Sequence, residues 1–162
     1  YYAYPNIYPL MVCKRVNLSF EYGHAGALST HGYVGYGGIL CGRVGDIESG
    51  YQFGQLALRV LSRFQDKELG VKTAFVFELV IRHWKEHVRN TLEASLEKYQ
   101  RALESGDLYY VAGLAFIYCS KAYLVGQELN GLAQEMAQYS AMMVQLKHSI
   151  SLPPYFMVRM SQ

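Results

Sequence analysis

Charged residues are scarce in this sequence, and neither sign is in large excess. Charged side chains make up 17% of the 162 residues and hydrophobic side chains 51%, a balance that excludes intrinsic disorder. The net charge is only +2 and the 15 lysines and arginines form no basic block, so we expect no nucleic acid partner. The length predicts a single domain over residues 1–162 that buries a core of its own.

Cysteines and long apolar runs are also few. Cys13, Cys41 and Cys119 are odd in number and far apart, which predicts reduced, buried thiols in a reducing compartment rather than a disulfide framework. The longest weakly charged stretch, 25–41, is too short and too polar to cross a bilayer, and the first residues lack a signal-peptide pattern. We therefore expect a cytoplasmic chain without a membrane partner. The first residue is not Met, and the last five residues carry no stop signal, so we expect a fragment of a larger protein.

Apolar residues recur at helical spacing, and no segment alternates with the period of a strand. Leu92, Leu96, Tyr99 and Leu103, for example, follow one another at steps of four, three and four residues. This pattern predicts an all-α chain of about seven helices, over 5–22, 27–44, 46–65, 71–88, 91–105, 108–125 and 128–150.

Turn and cap residues separate these predicted helices. Gly45-Asp46 and Gly106-Asp107 each pair a helix-ending glycine with an N-cap residue. Further signals are expected turns at Gly70 and Gly126, a capping box from Asn90 to Glu93, and a stop at Pro153-Pro154.

The helices form a regular series of hairpins. Every second helix starts near residue 5, 46, 91 or 128, a spacing of about 41 residues that lies within the range of helical repeats. Because the loops are short, neighbouring helices must be antiparallel. The pattern predicts tetratricopeptide-like hairpins stacked in a right-handed superhelix: 1–45, 46–89, 90–126 and an incomplete 127–162.

The second helix carries an unusual stripe of glycines. Gly35, Gly38, Gly42 and Gly45 fall on one face, and each glycine inside a helix costs about 0.8–1.0 kcal/mol relative to alanine. Close approach of a neighbouring helix would offset that cost. The sequence therefore predicts that Gly38→Leu or Gly42→Leu overpacks this face and lowers the free energy of unfolding by about 1–3 kcal/mol.

The motif His83-Trp84-Lys85-Glu86-His87 has the spacing of a zinc site. Two histidines at i and i+4 on one helix face could bind the metal, with Glu86 as the base of an inverted zincin. No third ligand is evident, since Glu128 and Glu135 are unsupported choices, and Lys85 adds positive charge beside the metal. The favoured interpretation of this motif is the end of a helix that has a structural role or faces a partner. We therefore expect no metal and no cofactor. Trp84, the only tryptophan, fits a packing role.

Tyrosine is abundant, with 15 residues. Tyrosine offers a large rigid contact surface with a polar tip, as partner-binding surfaces do, although filling the gaps between hairpins is the simpler interpretation. The best candidates for an interaction surface are Tyr51, Tyr109, Tyr110, Arg82, Trp84 and Lys85.

The second part of the chain contains a series of short distinctive segments: Phe75-Val76-Phe77, Ile81 to His87, Tyr99, Ala102 to Asp107, Gly126 to Leu129, Met136 to Ser140 and Gln145 to Lys147. In these segments the sequence from Val71 onward resembles the tetratricopeptide-like helical region of large multidomain bacterial signalling proteins. The resemblance covers roughly residues 47–150. In that family a serine/threonine kinase and an AAA-type ATPase module precede the helical region, and a GAF domain and a sensor histidine kinase follow it.

This resemblance implies a non-catalytic region whose kinase and nucleotide residues lie in other domains. We expect a scaffold or regulatory module that contacts a partner protein or neighbouring ATPase, GAF and histidine kinase domains. Two alternatives stay open: a superhelix that senses a small ligand, and a zinc-dependent hydrolase that uses His83, Glu86 and His87.

Overall fold

The computed structural model describes residues 7–23, 26, 28–64, 66–106 and 108–147. It confirms an all-α chain with seven α-helices, and the described ranges contain no strand. The helices are α1 (Ile7–Glu21), α2 (Leu28–Ile39), α3 (Ile47–Leu61), α4 (Lys67–Val80), α5 (Val88–Ser105), α6 (Leu108–Leu124) and α7 (Leu129–Lys147). A π-helical turn (Leu40–Val44) extends α2, and a 3-10 turn (Arg82–Trp84) follows α4.

Several predicted turns are confirmed by the backbone. Gly45, Gly106 and Gly126 have φ values of 82°, 73° and 76°, a left-handed conformation that suits glycine after a helix. The Asp46 side chain accepts a hydrogen bond from the amide of Ser49 at 3.0 Å and so caps α3. The predicted helix limits at 5 and 150, the Asp107 cap and Pro153-Pro154 lie outside the described residues.

Both boundaries of the predicted helix 71–88 are wrong. Asp66 is the N-cap, because its carboxylate accepts from the Leu69 amide at 2.9 Å, and Gly70 lies within the first turn of α4 rather than in a loop. At the other end α4 stops at Val80, and Ile81 leaves the helical conformation with φ −122°. The strong local cap at Asp66 explains why a glycine near the helix start is tolerated.

The predicted capping box at Asn90 is also wrong. Helix α5 begins at Val88, and its N-cap is His87, whose Nδ1 accepts from the Arg89 amide at 3.3 Å. The Asn90 amide donates to the carbonyl of His87 at 2.9 Å, inside the first turn. Thr91, which follows in the first turn, is buried.

The described helices form two compact units, Tyr1–Glu86 and His87–Gln162, here called the N-terminal and C-terminal units. In the N-terminal unit α2 is central and packs against α1, α3 and α4. Tyr33, Val34 and Ile81 are fully buried in its core. The hydroxyl groups of Thr30 and Thr73 join α2 to α4 at 3.2 Å within this core.

Helices α2 and α3 approach each other through glycines. A Cβ atom added to Gly37 would lie 2.6 Å from the carbonyl oxygen of Gly50, and one added to Gly54 would lie 2.7 Å from the Phe77 ring. Real Cβ atoms do not come so close, so only glycine fits at these places. The close contact thus uses Gly37, Gly50 and Gly54, none of which belongs to the predicted stripe.

The predicted glycine stripe is only half right. A Cβ atom on Gly35 would lie 3.2 Å from Val12 of α1, and one on Gly38 would lie 2.9 Å from Val80 of α4. Gly42, however, faces open space, and Gly45 is the left-handed cap. Because Gly42 faces open space, Gly42→Leu does not overpack this face.

In the C-terminal unit α6 packs against both α5 and α7. Its small residues Ala112 and Ala115 are fully buried beside Val111 and Leu114. The buried ammonium group of Lys121 donates to the Ser95 hydroxyl of α5 at 2.8 Å. This bond gives the buried lysine a polar partner.

The three cysteines are free thiols, and Cys41 and Cys119 are buried as predicted, whereas Cys13 is half-buried. Across the described ranges, no helix combines the length and the apolar character that crossing a membrane requires.

Candidate interaction site around Arg82

The candidate site lies where α4 ends in the 3-10 turn. Because α4 stops at Val80, the motif from His83 to His87 is not one helix. His83 lies in the 3-10 turn, and His87 is the extended N-cap of α5. The sequence-based prediction that both histidines share one helix face is therefore wrong, and the zinc alternative loses its geometric basis.

Glu86, the predicted base, and Glu128, one of the two candidate third ligands, have other partners in the structure. Glu86 accepts a bond from Arg82, and the Glu128 carboxylate accepts from the amides of Asn130 and Gly131 at 2.8 Å and 2.6 Å. Glu128 thereby caps the start of α7. Within the described ranges, no three His, Cys, Asp or Glu side chains are grouped as a metal ion would require.

Arg82 is the centre of a partly buried ion network. Its Nη1 donates to Oε1 of Glu78 at 2.7 Å, and its Nε donates to Oε2 of Glu86 at 2.9 Å. Glu78 is only 1% exposed, so Arg82 supplies opposite charge to a carboxylate that water does not reach. These two contacts join the last turn of α4 to the 3-10 turn.

Side chains of α3 contact the 3-10 turn and the residues that follow it. The Tyr51 hydroxyl donates to Oε1 of Glu86 at 2.7 Å, and Gln55 donates to the Tyr51 hydroxyl at 3.0 Å. Lys85 forms an ion pair with Glu48, and its Nζ lies 5.4 Å from the centre of the Tyr51 ring, a cation–π distance. The turn is therefore held against α3 at several points.

The charges in this network shift the pKa values of its members. Burial alone would raise the pKa of Glu86, but the hydrogen bonds from Arg82 and Tyr51 outweigh burial and lower it. Burial would likewise lower the pKa of Arg82, but its bonds to Glu86 and Glu78 raise it. Burial first, and then the bond to Glu86, raise the pKa of Tyr51. At neutral pH Glu86 is therefore a carboxylate paired with the Arg82 guanidinium.

Trp84 projects from this fixed turn. It is 45% exposed, and its ring lies 5.3 Å from the His83 ring at an angle of 34°. Lys85 is also partly exposed. The turn thus presents an aromatic residue and a cation on a backbone that the Arg82 network holds in place.

The six residues of the predicted interaction surface divide between the two units. Tyr51, Arg82, Trp84 and Lys85 come together in the N-terminal unit. Tyr109 and Tyr110 lie at the start of α6 in the C-terminal unit, half-buried, with ring centres 5.0 Å apart. Of the first four, Arg82 and Tyr51 support the turn from within, and Trp84 and Lys85 are its outward residues.

Sequence reasoning missed Glu48, Gln55 and Glu78. The spacing of Glu78, Arg82 and Glu86 at successive steps of four is a signal that could have revealed the ion network. The contacts to α3 span about 35 residues of sequence and have no local signal.

Comparison with models of known protein families, with curated proteins and with solved structures gives no match.

Proposed function

We propose that this chain is a non-catalytic helical scaffold, the tetratricopeptide-like region of a cytoplasmic multidomain signalling kinase. In this role it contacts a partner protein or neighbouring ATPase, GAF and histidine kinase domains, and the phosphotransfer chemistry belongs to those domains. The observation that carries the proposal is the exposed Trp84 on a turn fixed by the Arg82 network. Tryptophan is among the residues that contribute most of the binding energy at protein interfaces.

A rigid turn favours binding over catalysis. Each polar side chain described in the network already has a partner in the structure, so the groups that could transfer protons are engaged in holding the turn. Holding Trp84 in one position reduces the entropy lost when a partner binds.

The test is direct binding, measured by calorimetry between this chain and separately produced ATPase, GAF and histidine kinase domains. We expect one of these domains to bind, and Trp84→Ala to weaken that binding at least tenfold, because truncation of a central aromatic residue at an interface costs about 2 kcal/mol or more. Tyr22→Ala, a change of another exposed aromatic residue, is the matched control and should leave binding unchanged. No binding to any of the three domains, or equal binding by the Trp84 variant, would contradict the proposal.

A further inference from the structure

Helix α1 carries apolar residues on two opposite sides, and only one side is packed. Val12 and Val16 are buried on the side that faces α2. On the other side, exposed residues recur at the spacing of a single helix face. This set, here called the outer face of α1, consists of Ile7, Leu10, Met11, Lys14 and Leu18.

The four apolar residues of the outer face are large and well exposed, between 37% and 70%. Neighbours on one helix face, they form a patch on the order of a few hundred Å², a size that on a monomeric protein often marks an interaction site. Single apolar residues scattered over a surface have no such meaning. The outer face therefore has the character of a surface that another molecule covers.

A cation lies within this apolar row. Lys14 follows Met11 by three residues and precedes Leu18 by four, so an apolar residue flanks it on either side along the helix. Arg15, at the edge of the outer face, is exposed as well. Neither Lys14 nor Arg15 forms an ion pair with a residue of the ranges that the structure describes. A partner that covers this face must therefore bring negative charge.

A second copy of the chain does not meet this requirement. Two identical chains would pair their outer faces about a twofold axis, with each face opposite itself. Lys14 lies near the middle of the row, so the two Lys14 side chains would come close together near that axis. Like charges placed opposite each other in an interface repel and weaken it.

An anionic bilayer fits the charge but not its position. Helices that lie on bilayers carry their cations on the polar face, beside the apolar face that enters the lipid. Lys14 stands inside the apolar row, so the row could enter the acyl chains only if this charge followed it, and charge is costly there.

A helix of opposite charge meets both requirements. Its apolar side chains would cover Leu10 and Leu18, and a carboxylate at its middle would pair with Lys14 through a charge-assisted hydrogen bond. We propose that the outer face of α1 binds an amphipathic α-helix of a partner protein, whose apolar row carries an aspartate or a glutamate at its centre. This surface differs from the Trp84 turn, so the inference goes beyond the scaffold contacts proposed above and does not depend on them.

The test is a calorimetric titration of the full chain with a synthetic amphipathic peptide of about 20 residues, a length at which a helix can form. One glutamate stands in the middle of its row of leucines, and a second peptide has lysine in place of that glutamate. We expect the glutamate peptide to bind saturably. The lysine peptide should bind at least about tenfold more weakly, because its cation would meet Lys14.

Two variants assign the binding to the outer face. Lys14→Glu should weaken binding of the glutamate peptide at least about tenfold and should strengthen binding of the lysine peptide, because the pair is restored with reversed signs. Leu10→Gln removes an apolar contact and should weaken binding of the glutamate peptide at least about tenfold. Leu28→Gln is the matched control and should have no effect, because Leu28 is equally exposed, at 70%, but belongs to α2.

Four results would overturn the proposal. The first is the absence of saturable binding of the glutamate peptide. The second is equal affinity for the two peptides, or equal affinity of wild type and Leu10→Gln. The third is a wild-type dimer in sedimentation that Leu10→Gln dissociates, and the fourth is binding to phosphatidylserine vesicles that Leu10→Gln abolishes. Trp84→Ala should leave peptide binding unchanged, so this test and that of the scaffold can fail separately.

Discussion

At the scale of single residues, Gly37 is the position where the backbones of α2 and α3 come closest. A methyl group there would meet the carbonyl oxygen of Gly50, a backbone atom that cannot turn aside as a side chain can. We expect Gly37→Ala to lower the free energy of unfolding by about 1–3 kcal/mol through overpacking, measured by urea denaturation. Gly42→Ala, which faces open space, is the control and should cause no loss. Equal midpoints for the two variants would contradict the close approach.

His31 is a second residue whose surroundings have a measurable effect. Burial first, and then the positive charges of Arg15 and Lys72, lower its pKa below the usual value of 6.5, and its Nδ1 is buried without a hydrogen bond from the described residues. Lys72 is also paired with Glu68, which reduces its effect on the imidazole. The folded state therefore holds His31 neutral at a pH where the unfolded chain binds a proton.

This difference predicts a loss of stability in acid. Because the folded pKa is below the unfolded one, the contribution of neutral His31 is complete above pH 6.5 and declines as pH falls from there towards the folded pKa. The variant His31→Gln has no imidazole to protonate, so its stability lacks this part of the decline in acid. The wild type should therefore lose stability relative to the variant as the pH falls below 6.5. The measurement is the urea midpoint of both proteins at half-unit steps from pH 8 to pH 5. A difference between their midpoints that stays constant over this range would contradict the prediction.

The stripe in α2 shows how far single residues could be predicted from sequence. Helical spacing correctly placed Gly35 and Gly38 against neighbouring helices. It could not place Gly42, because the stripe assumes regular α-helical turns and the π-helical turn breaks that regularity. It also missed Gly50 and Gly54, although their spacing of four puts both on one face of α3.

At the scale of elements, the junction after α4 depends on Arg82. We expect Arg82→Met to destabilise the protein by about 3–5 kcal/mol, because it leaves the buried Glu78 without its arginine. The matched control is Arg101→Met, which breaks the Glu97 pair on the surface of α5, where the side chains are 72% and 57% exposed. That change should cost only about 0.3–0.5 kcal/mol.

A double substitution separates the charge from the packing. Glu78→Leu combined with Arg82→Met removes both buried charges, and most of the stability lost in Arg82→Met should return. If Arg82→Met costs no more than Arg101→Met, or if the double variant is no better than the single one, the network does not hold the turn.

Some helix boundaries could be predicted from the local sequence and others could not. Gly45-Asp46 was predicted correctly, because both the left-handed glycine and the capping aspartate act within a few residues. The start of α5 was missed because Asn90 and Glu93 satisfy the capping-box pattern, whereas the helix is capped at His87, whose Nδ1 accepts from the Arg89 amide. Two local caps competed, and the sequence pattern did not distinguish them.

At the scale of the whole molecule, the chain divides between Glu86 and His87. Each unit has a core of its own, built around Tyr33 in the N-terminal unit and around Leu114 in the C-terminal unit. We expect residues 1–86 and 87–162, expressed separately, each to show helical circular dichroism and a cooperative urea transition. Because each half is short, its free energy of unfolding should be lower than that of a typical larger domain. A half that unfolds without cooperativity would show that its core is incomplete.

The contact of Gly54 with Phe77 restricts how α3 can move against α4. A slide of α3 by one turn, about 5.4 Å, would bring Leu58 to the position of Gly54 against Phe77, where even one added carbon does not fit. Leucine at that place would overlap the Phe77 ring, so α3 cannot shift by one turn in that direction. Such sliding of α3 past α4 is therefore not a route by which the N-terminal unit could relay a signal.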